Sequence, residues 1–475
     1  MVAASVDWAR AARELREALG YGDGVLAGPD ELLVYAYDAS FESMIQPSLP
    51  DLVVLPRDTQ DVARTVRFAV ERGIPVTPRG ASTGQAGGAL PVRGGIVLDM
   101  TRLDQIVELD APNLQVIVQP GVVHASLNAF LAPNGLIFPP DPGSSRMCTV
   151  GGMVANNSRG MRALKYGCTG DYVLGMEVVL PDGQVITTGS INSRALQSSS
   201  GLELTKLFVG SEGLLGVITQ LRLRVVPVPQ ARGMVMALFD RLESTGESVS
   251  AVLRAGLLPS AIEILDATAI QAVNIYRPAL KLPPAEAILL YEVDGNPPGV
   301  AHEAARIAEV VAPFAQRVEW SDEPKRVAAL WEARSVVGAA SGQVRPGAAR
   351  VYAGEDICVP LTRVPETLRA IQDTAKRHGL TVVTYGHIAS GNIHPAPVID
   401  VANAEEVRRV RLFADEIHRL ARKMGGTVTG EHGVGMTRIP YMREEHGPAL
   451  DVMRRIKDAL DPKGIMNPGK LFGEA

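Results

Sequence analysis

Cysteine, aromatic residues and net charge are all scarce in this sequence, and each scarcity argues against a class of protein. The 475 residues include three cysteines, Cys148, Cys168 and Cys358, which are far apart and form no CxxC pair. This argues against a disulfide framework and against an iron–sulfur cluster held by the chain itself, and it indicates a reducing compartment. With 5% aromatic residues and a net charge of −5, the sequence offers no basic, aromatic-rich surface for nucleic acid or anionic lipid.

Long apolar runs are also missing, so the sequence predicts no membrane-spanning helix. Residues 1–20 lack the apolar centre of a signal peptide and include three acidic residues. They predict an amphipathic helix with Trp8, Ala11, Leu15 and Leu19 on its apolar face. We therefore expect a cytoplasmic protein, with peripheral attachment to a membrane left open.

The chain is too long for one ordinary core, which predicts at least two domains. A strand at Asp51–Pro56, a helix from Thr59 to Arg72 and a strand from Ile74 form a predicted βαβ unit. The segment Pro227-Val228-Pro229 marks a domain boundary. Beyond it, strands and helices alternate, which predicts an α+β domain with a ferredoxin-like sheet.

A segment with two histidines, Tyr385–Pro395, is the strongest local signal in the sequence. Apolar residues precede it, as in a strand, and its glycines and Pro395 argue against a helix. The pattern predicts a β-hairpin that brings His387 and His394 together. A hairpin with two structural histidines would have the same pattern, so a metal site depends on a further ligand.

A carboxylate and a third histidine, Glu431 and His432, lie in the downstream segment Thr429–Gly435. Two imidazoles and one carboxylate are a usual ligand set for a divalent transition metal with open coordination positions. Glu431 completes that set if it reaches the hairpin. If the chain is extended there, His432 points away from Glu431 and is free to move protons.

Two stretches rich in glycine and small residues, Arg79–Gly88 and Thr149–Asn157, suit an anionic cofactor. A backbone without side chains can approach a pyrophosphate closely, and successive N–H groups form an anion-binding nest. Neither stretch has the spacing of a Rossmann fingerprint or of a Walker A loop. Taken alone, each stretch is explained equally well by a tight turn that packs against a sheet.

A series of short motifs occurs in a distinctive order along nearly the whole chain. In chain order they are Pro78–Gly84, Pro140–Gly143, Gly151–Asn157, Gly160, Tyr166-Gly167, Val179–Gly183, Gly210–Thr219, Gly430–Gly433 and Asn467–Lys470. This series closely resembles the FAD-linked oxidases of the vanillyl-alcohol oxidase/p-cresol methylhydroxylase superfamily. The nearest branch is that of D-lactate dehydrogenase, D-2-hydroxyglutarate dehydrogenase and the glycolate oxidase FAD subunit.

The resemblance implies an α+β fold, in which a two-part FAD-binding domain of the vanillyl-alcohol oxidase type carries a cap domain with a ferredoxin-like antiparallel sheet. We expect the FAD domain over residues 1–228 and the cap over residues 229–424, and residues 425–475 should return to the FAD domain. The implied FAD contacts are Arg79, Gly80, Ala81, Ser82, Thr83, Gly84, Pro140, Gly143, Ser144, Thr149, Gly152, Ala155, Asn156, Gly213, Val217, Ile218 and Asn467.

The resemblance also bears on how FAD is held. Some relatives attach the flavin covalently through a histidine in the first loop, but Arg79–Gly88 contains none. We therefore expect non-covalent FAD. Cys168 is the residue to check, since a cysteinyl link also occurs in the superfamily.

For catalysis, the resemblance implies a metal site and a base. A 2-hydroxy acid offers a carboxylate and an adjacent hydroxyl that together chelate a metal and lower the pKa of the hydroxyl. A base then takes the proton while C2 delivers hydride to the flavin. The implied metal is zinc, manganese or iron. The implied ligands are His387, His394 and Glu431, the implied base is His432, and Asn392 is expected beside the substrate or the metal.

Arg334 is the residue that we expect to bind the substrate carboxylate, because its Trp-x-x-Arg context is similar to that of the family and arginine matches a carboxylate well. Arg345 and Arg350 are weaker candidates. Relatives that oxidise dicarboxylates have a lysine shortly before the position of Asp356, whereas this chain has Gly354. This favours a small monocarboxylate, D-lactate or glycolate.

The reaction needs an external electron acceptor, for which a quinone, a cytochrome, an electron-transfer flavoprotein and an iron–sulfur subunit are all options. Three alternatives compete with this interpretation: the flavin subunit of a multi-subunit glycolate oxidase, a non-redox FAD transferase, and a metal-dependent hydrolase without flavin. A homodimer is left open, and no nucleic acid is expected as a partner.

Overall fold

The first half of the chain folds into short strands and helices in the predicted order. The computed structural model describes residues 6–473, so the outermost residues of the predicted domain ranges lie outside it. The helices up to residue 227 are α1 (Trp8–Leu19), α2 (Pro29–Leu33), α3 (Phe41–Ile45), α4 (Thr59–Arg72), α5 (His124–Leu131), α6 (Val150–Asn156), α7 (Ala163–Tyr166) and α8 (Leu204–Phe208). The strands are β1 (Val25–Leu26), β2 (Leu52–Val54), β3 (Val76–Arg79), β4 (Ile96–Asp99), β5 (Ile106–Asp110), β6 (Gln115–Val118), β7 (Leu136–Ile137), β8 (Val173–Val179), β9 (Val185–Gly189), β10 (Val217–Arg224) and β11 (Val226–Pro227).

The first sheet contains the predicted βαβ unit and has the strand order β1-β2-β4-β3, with β2, β4 and β3 parallel. Helix α4 begins at Asp58, whose side chain accepts a hydrogen bond from the Asp61 N–H group. It ends at Gly73, which has the left-handed φ of 64° that a helix end favours. Because β3 ends at Arg79, the first glycine-rich loop leaves the carboxyl edge of the parallel strands.

The second sheet is antiparallel, with the order β5-β6-β10-β8-β9. Its core includes Phe138, Met153 and Leu221, so helix α6 packs onto this sheet. The glycine-rich stretch Thr149–Asn157 is not a tight turn, because most of it forms α6. The Thr149 side chain caps the helix and the buried apolar positions hold it, which together outweigh the low helix propensity of its two glycines.

The cap is built on an eight-stranded sheet. Seven of its strands follow the order β15-β12-β14-β13-β18-β19-β16, and the eighth, β17, pairs with β19. Its pairings are antiparallel, as predicted for this domain. Its strands are β12 (Ala231–Phe239), β13 (Ala261–Asp266), β14 (Ala287–Gly295), β15 (Arg317–Ser321), β16 (Ala349–Arg350), β17 (Ile357–Cys358), β18 (Thr381–Gly386) and β19 (Asn392–Ile399). Its helices are α9 (Leu242–Arg254), α10 (Ala267–Tyr276), α11 (Pro297–Val311), α12 (Pro324–Ser335), α13 (Val337–Ala340), α14 (Val364–His378) and α15 (Ala404–Lys423).

Apolar side chains cover both faces of the cap sheet. One cluster, with Tyr291 and Phe413, lies between the sheet and α9, α11, α14 and α15. The other, with Leu265 and Leu330, lies between the sheet and α10, α12 and α13. The cap is therefore rigid where strands β13, β18 and β19 meet, and this is where the predicted metal ligands begin.

The C-terminal segment passes from the cap back to the first sheet through α16 (Met442–His446) and α17 (Ala449–Leu460). Met466 forms a parallel bridge with Val76, and the Val76 N–H group donates to the Ile465 carbonyl at 2.8 Å. The tail thus extends the edge at β3, beside the first glycine-rich loop.

Buried ion pairs join the cap to the first half of the chain. Arg162, after α6, lies 3.0 Å from Glu292 of β14 and also pairs with Asp141. Lys165 pairs with Asp294 of the same strand. Within residues 6–473, no helix combines the length and the apolar character that crossing a membrane requires.

Candidate active site

A cavity of about 880 Å³ lies between the glycine-rich loops and the cap. This volume is within the range of cofactor sites. The cavity is lined by every predicted FAD contact except Pro140 and Asn467. His387, His394, Glu431 and His432 line the same cavity, so the structure brings the predicted cofactor site and the predicted metal site together.

The first loop has the properties of an anion-binding nest. Among the described residues, no N–H group from Gly80 to Gln85 donates a backbone hydrogen bond. Ser82 has a left-handed φ of 56°, and the Ser82 Oγ and Gln85 Oε1 atoms are buried without a partner. Free amides and unpaired polar atoms on a cavity wall fit the pyrophosphate of FAD.

Arg79 supports this loop rather than presenting its charge to the cavity. Its guanidinium donates to the carbonyl oxygens of Val34, Tyr35 and Tyr37, at 2.8 Å for Tyr37. Burial lowers the pKa of Arg79, although Asp99 and Asp38 oppose that effect. The residue therefore fixes the segment before β2 against the cofactor loop.

The first loop and helix α6 approach each other closely at Gly80. A Cβ atom on Gly80 would lie 2.3 Å from the Thr149 Oγ1 atom, so no larger residue fits without a shift. Thr149 caps α6 through the Gly152 N–H group. The two predicted cofactor stretches thus form one continuous wall.

Asn467 and Cys168 lie outside the cavity lining. Asn467 is buried, and its Nδ2 atom donates to the carbonyl oxygens of Gly88 and Glu212 at 3.0 and 2.7 Å. It therefore ties the tail to the cofactor loops without touching the cavity. The Cys168 Sγ atom faces Asp171 at 3.2 Å.

Glu212 connects the cofactor cavity to the segment that carries Glu431 and His432. Its two carboxylate oxygens each accept a hydrogen bond of 2.7 Å, from the N–H groups of Val434 and Gly435. Burial raises the pKa of this carboxyl, and the two amide donors partly oppose that effect. The cavity wall and the histidine-bearing loop therefore share one fixed hydrogen-bond pair.

The hairpin of β18 and β19 forms as predicted and places its two histidine rings edge to face, with centroids 5.2 Å apart. Glu431 reaches them. Its Oε1 atom lies 3.3 Å from the Nε2 atom of His387, 3.4 Å from that of His394 and 3.6 Å from that of His432. Three imidazoles thus converge on one carboxylate oxygen.

His432 points into the same cluster as Glu431 because the chain is not extended there. The Asp356 carboxylate accepts hydrogen bonds from the N–H groups of both Glu431 and His432, and from the Thr429 hydroxyl at 2.6 Å. These bonds fold the segment, and Gly433 completes the turn with a φ of 82°. The condition under which the two side chains would point apart, an extended chain, is therefore not met.

Two buried glutamates that the sequence analysis does not single out stand behind the imidazoles. Glu263 lies 2.7 Å from the His387 Nδ1 atom, and Glu355 lies 2.8 Å from the His432 Nδ1 atom and 3.5 Å from that of His394. For His387, the hydrogen bond from Nδ1 to the Glu263 carboxylate fixes the tautomer in which Nε2 keeps its lone pair. Glu355 is close to the other two rings, but its Oε2 atom and the Nδ1 atom of His432 have no hydrogen-bond partner of good geometry. One signal was available for Glu263, since it is the only charged residue between Ala261 and Leu265 of β13.

The cluster has the electrostatics of a cation site. Burial disfavours charge on the histidines, but Glu263 and Glu431 outweigh it and raise the pKa of His387, and the neighbouring carboxylates also raise the pKa of His394 and His432. Ligand atoms about 2.1 Å from a tetrahedral metal lie about 3.4 Å apart, which matches the three distances to Glu431. A divalent metal would take the place of the protons that the carboxylates attract to these histidines.

Asp356 also lies near this cluster, since its carboxylate and the ligand atoms of His394, Glu431 and His432 are within 4.8 Å of one another. Its oxygens are already engaged by backbone N–H groups and by Asn392, whose Nδ2 atom donates at 2.9 Å. Asp356 therefore shapes the loop. Asn392 lies behind the cluster and does not line the cavity.

The three candidate arginines occupy different surroundings. Arg334 lines the cavity, and its Nε atom donates to Glu263, the carboxylate that also holds His387. Arg350 lines the cavity as well. Arg345 does not, because it forms a two-pronged ion pair with Glu406, at 2.6 and 2.8 Å.

Comparisons with known proteins agree with this architecture. Residues 50–189 match the family described as "FAD binding domain", and residues 228–471 match "FAD linked oxidases, C-terminal domain". The chain is 36% identical to the glycolate oxidase subunit GlcD of Bacillus subtilis, over 93% of this chain and 92% of that relative. It is 34% identical to the probable mitochondrial D-lactate dehydrogenase of Danio rerio, over 91% and 86% of the two chains.

Solved structures show the same fold at low sequence identity. Substrate-bound p-cresol methylhydroxylase is 18% identical and superposes with a TM-score of 0.80, covering 98% of this chain and 97% of that one. An alkyldihydroxyacetonephosphate synthase is 19% identical, with a TM-score of 0.76 over 98% and 86% of the two chains. The predicted fold is thereby confirmed, and the chain belongs to the FAD-linked oxidases, a family of FAD-dependent oxidoreductases.

Proposed function

We propose that this protein oxidises a small 2-hydroxy acid, D-lactate or glycolate, to the 2-oxo acid in an FAD- and metal-dependent reaction, with an external electron acceptor. The observation that carries the proposal is the convergence of three imidazole Nε2 atoms on Glu431 in the cavity that the FAD loops line. The relatives named glycolate oxidase subunit and D-lactate dehydrogenase support this class of substrate.

Oxidation of the alcohol requires removal of a proton from its hydroxyl and of a hydride from C2, and different groups of this site serve the two steps. When bound, FAD supplies the hydride acceptor, and a metal held by His387, His394 and Glu431 supplies a Lewis acid for the hydroxyl. His432 accepts the hydroxyl proton at Nε2, because the nearby carboxylates of Asp356 and Glu355 stabilise the imidazolium that results. Arg334 lines the same cavity and binds Glu263, the carboxylate behind His387.

The test is anaerobic bleaching of the ~450 nm flavin band by D-lactate, L-lactate, glycolate and D-2-hydroxyglutarate, before and after treatment with a chelator. We expect bleaching by D-lactate or glycolate that is lost with the metal and restored by adding it back. Undiminished bleaching in metal-depleted protein would contradict the metal-dependent reaction.

His432 provides the sharper variant. We expect His432→Asn to keep FAD and metal but to reduce the flavin at least ~100-fold more slowly, the usual contribution of a general base. His302→Asn, on the exposed face of α11, is the matched control. Loss of the metal in His432→Asn would make His432 a fourth ligand, and full-speed reduction would remove it from the mechanism.

A flavin subunit of a larger oxidase is the second candidate, because the matched relative from Bacillus subtilis is itself named a subunit. In that case the isolated chain still bleaches with its substrate but fails to pass electrons to a soluble dye. A yellow protein that no 2-hydroxy acid bleaches would instead favour the transferase alternative.

A further inference from the structure

Arg350 is a cation of the cavity wall without a carboxylate partner. It lies on β16, opposite Val398 of β19. Its Nη1 atom donates to the Tyr385 hydroxyl at 2.9 Å, and its Nη2 atom donates to the hydroxyl of Tyr352. Among the described residues, no carboxylate oxygen lies within ion-pair distance of it. Burial disfavours this charge, and the two tyrosines and the more distant Glu355 outweigh that effect and raise the pKa of Arg350, but no carboxylate pairs with it directly.

The other arginines near the cluster are compensated. Arg334 pairs with Glu263, and Arg438 pairs with Glu355 at 2.7 Å. Arg345 pairs with Glu406 outside the cavity. Keeping a charge out of water without a counter-ion is costly, so an unpaired guanidinium in a ligand cavity calls for an anion from the ligand.

The position of Arg350 suits one end of a short hydroxy acid. Tyr385, which holds the guanidinium, is the register partner of His394, and the two rings are 5.5 Å apart. One tyrosine therefore separates Arg350 from the imidazoles. Gly338 keeps the space open, because a Cβ atom there would lie 2.8 Å from the Arg350 Nη1 atom.

We propose that Arg350, together with the hydroxyls of Tyr352 and Tyr385, binds the carboxylate of the substrate. This inference rests on the proposed oxidation of a 2-hydroxy acid. Each Nη atom has a second hydrogen to donate, and both tyrosines can donate their own hydroxyl hydrogens to the same anion. One uncompensated guanidinium matches one carboxylate, so the site selects monocarboxylic 2-hydroxy acids, and Arg334 acts mainly through Glu263 on His387.

The experiment compares Arg350→Met and Arg350→Lys with Arg345→Met, a control that removes a nearby arginine outside the cavity. Oxalate, titrated against the visible spectrum of the oxidised flavin, reports anion binding without turnover. Flavin reduction by D-lactate and by lactamide, its neutral amide, reports whether the carboxylate is recognised. Thermal unfolding without ligand reports whether Arg350 is structural.

We expect Arg350→Met to raise the dissociation constant of oxalate and the half-saturating concentration of D-lactate by about 10- to 100-fold. This is the effect of losing one charged hydrogen-bonding partner. Arg350→Lys should fall between it and the wild type, because lysine keeps the charge but not the fork. Reduction by lactamide should be unchanged. The ligand-free Arg350→Met protein should stay folded with FAD bound, because Arg350 has hydrogen bonds to Tyr352 and Tyr385 but no ion pair to lose.

Three outcomes overturn the assignment: oxalate binding within twofold of the Arg345→Met control, equal losses with D-lactate and lactamide, or a lower unfolding temperature with unchanged oxalate affinity. The proposed reaction fails separately. If no 2-hydroxy acid reduces the wild-type flavin while oxalate binding still depends on Arg350, the carboxylate site stands without that reaction.

Discussion

Glu263 should control metal affinity, although it is not itself a ligand. The Glu263→Gln variant removes one of two acceptor oxygens from a fully buried residue that accepts from both His387 and Arg334. The amide has one oxygen, so either Arg334 or His387 loses its acceptor. An unpaired buried donor costs about 1–3 kcal/mol.

His387 has one way to avoid that cost. It can accept a hydrogen bond from the new amide at Nδ1, but its proton then moves to Nε2, the atom that faces Glu431. That tautomer cannot bind a metal through Nε2. Either route should raise the metal dissociation constant by about 10- to 100-fold, the usual effect of removing the partner behind a histidine ligand.

The assay is equilibrium competition for zinc or manganese against a chromophoric chelator at fixed pH. The FAD content is measured in parallel and should not change. Glu292→Gln is the matched control, because Glu292 is also buried, lies on the neighbouring strand β14 and has arginine partners but no histidine. Metal affinity within twofold of the wild type in Glu263→Gln, or an equal loss in Glu292→Gln, would refute the reasoning.

Two further predictions concern stability and the cofactor. Burial, together with Arg438, lowers the pKa of His418 to about 3, so its stabilising contribution is complete above the unfolded pKa near 6.5 and is lost as the pH falls towards 3. The unfolding temperature of His418→Gln should therefore fall less between pH 7 and pH 5 than that of the wild type, and the difference is worth up to ~2 kcal/mol. The exposed His302→Gln control should keep the wild-type dependence on pH. Gly80→Ala should lose FAD on gel filtration because its Cβ atom meets Thr149 Oγ1, whereas Gly84→Ala, where the nearest atom is 3.9 Å away, should retain it; equal retention in both would contradict the close-packed wall.

The sequence predicts the local parts of this protein well. Helix α4 begins at Thr59 and ends at Arg72 as predicted, because its cap Asp58 and the left-handed Gly73 act within one turn of chain. The hairpin that carries His387 and His394 also follows from local turn and strand signals. Glu263 could not be paired with His387 in this way, since the two are 124 residues apart and only the register of β13 with β18 brings them together.

Charge compensation shows the same limit. From the sequence, Arg334 and Arg350 differ only in their neighbours along the chain. In the fold, Arg334 pairs with Glu263, whereas Arg350 bonds to the Tyr385 hydroxyl. This contrast depends on strands β13, β16 and β18, which are distant in sequence. Whether the segment with His432 is extended could not be predicted for a related reason, since its conformation depends on hydrogen bonds to Asp356, which is distant in sequence.

Glu212 sets a rule for making chimeras within this family. Its carboxylate comes from the first half of the chain, yet it binds the N–H groups of Val434 and Gly435, just after His432. In a chimera that joins the cap and tail of one parent to the flavin-binding half of another, Glu212 and the N–H groups that it binds come from different parents. Crossovers that inherit residue 212 and residues 430–435 from the same parent should keep the histidine loop in register with the cofactor.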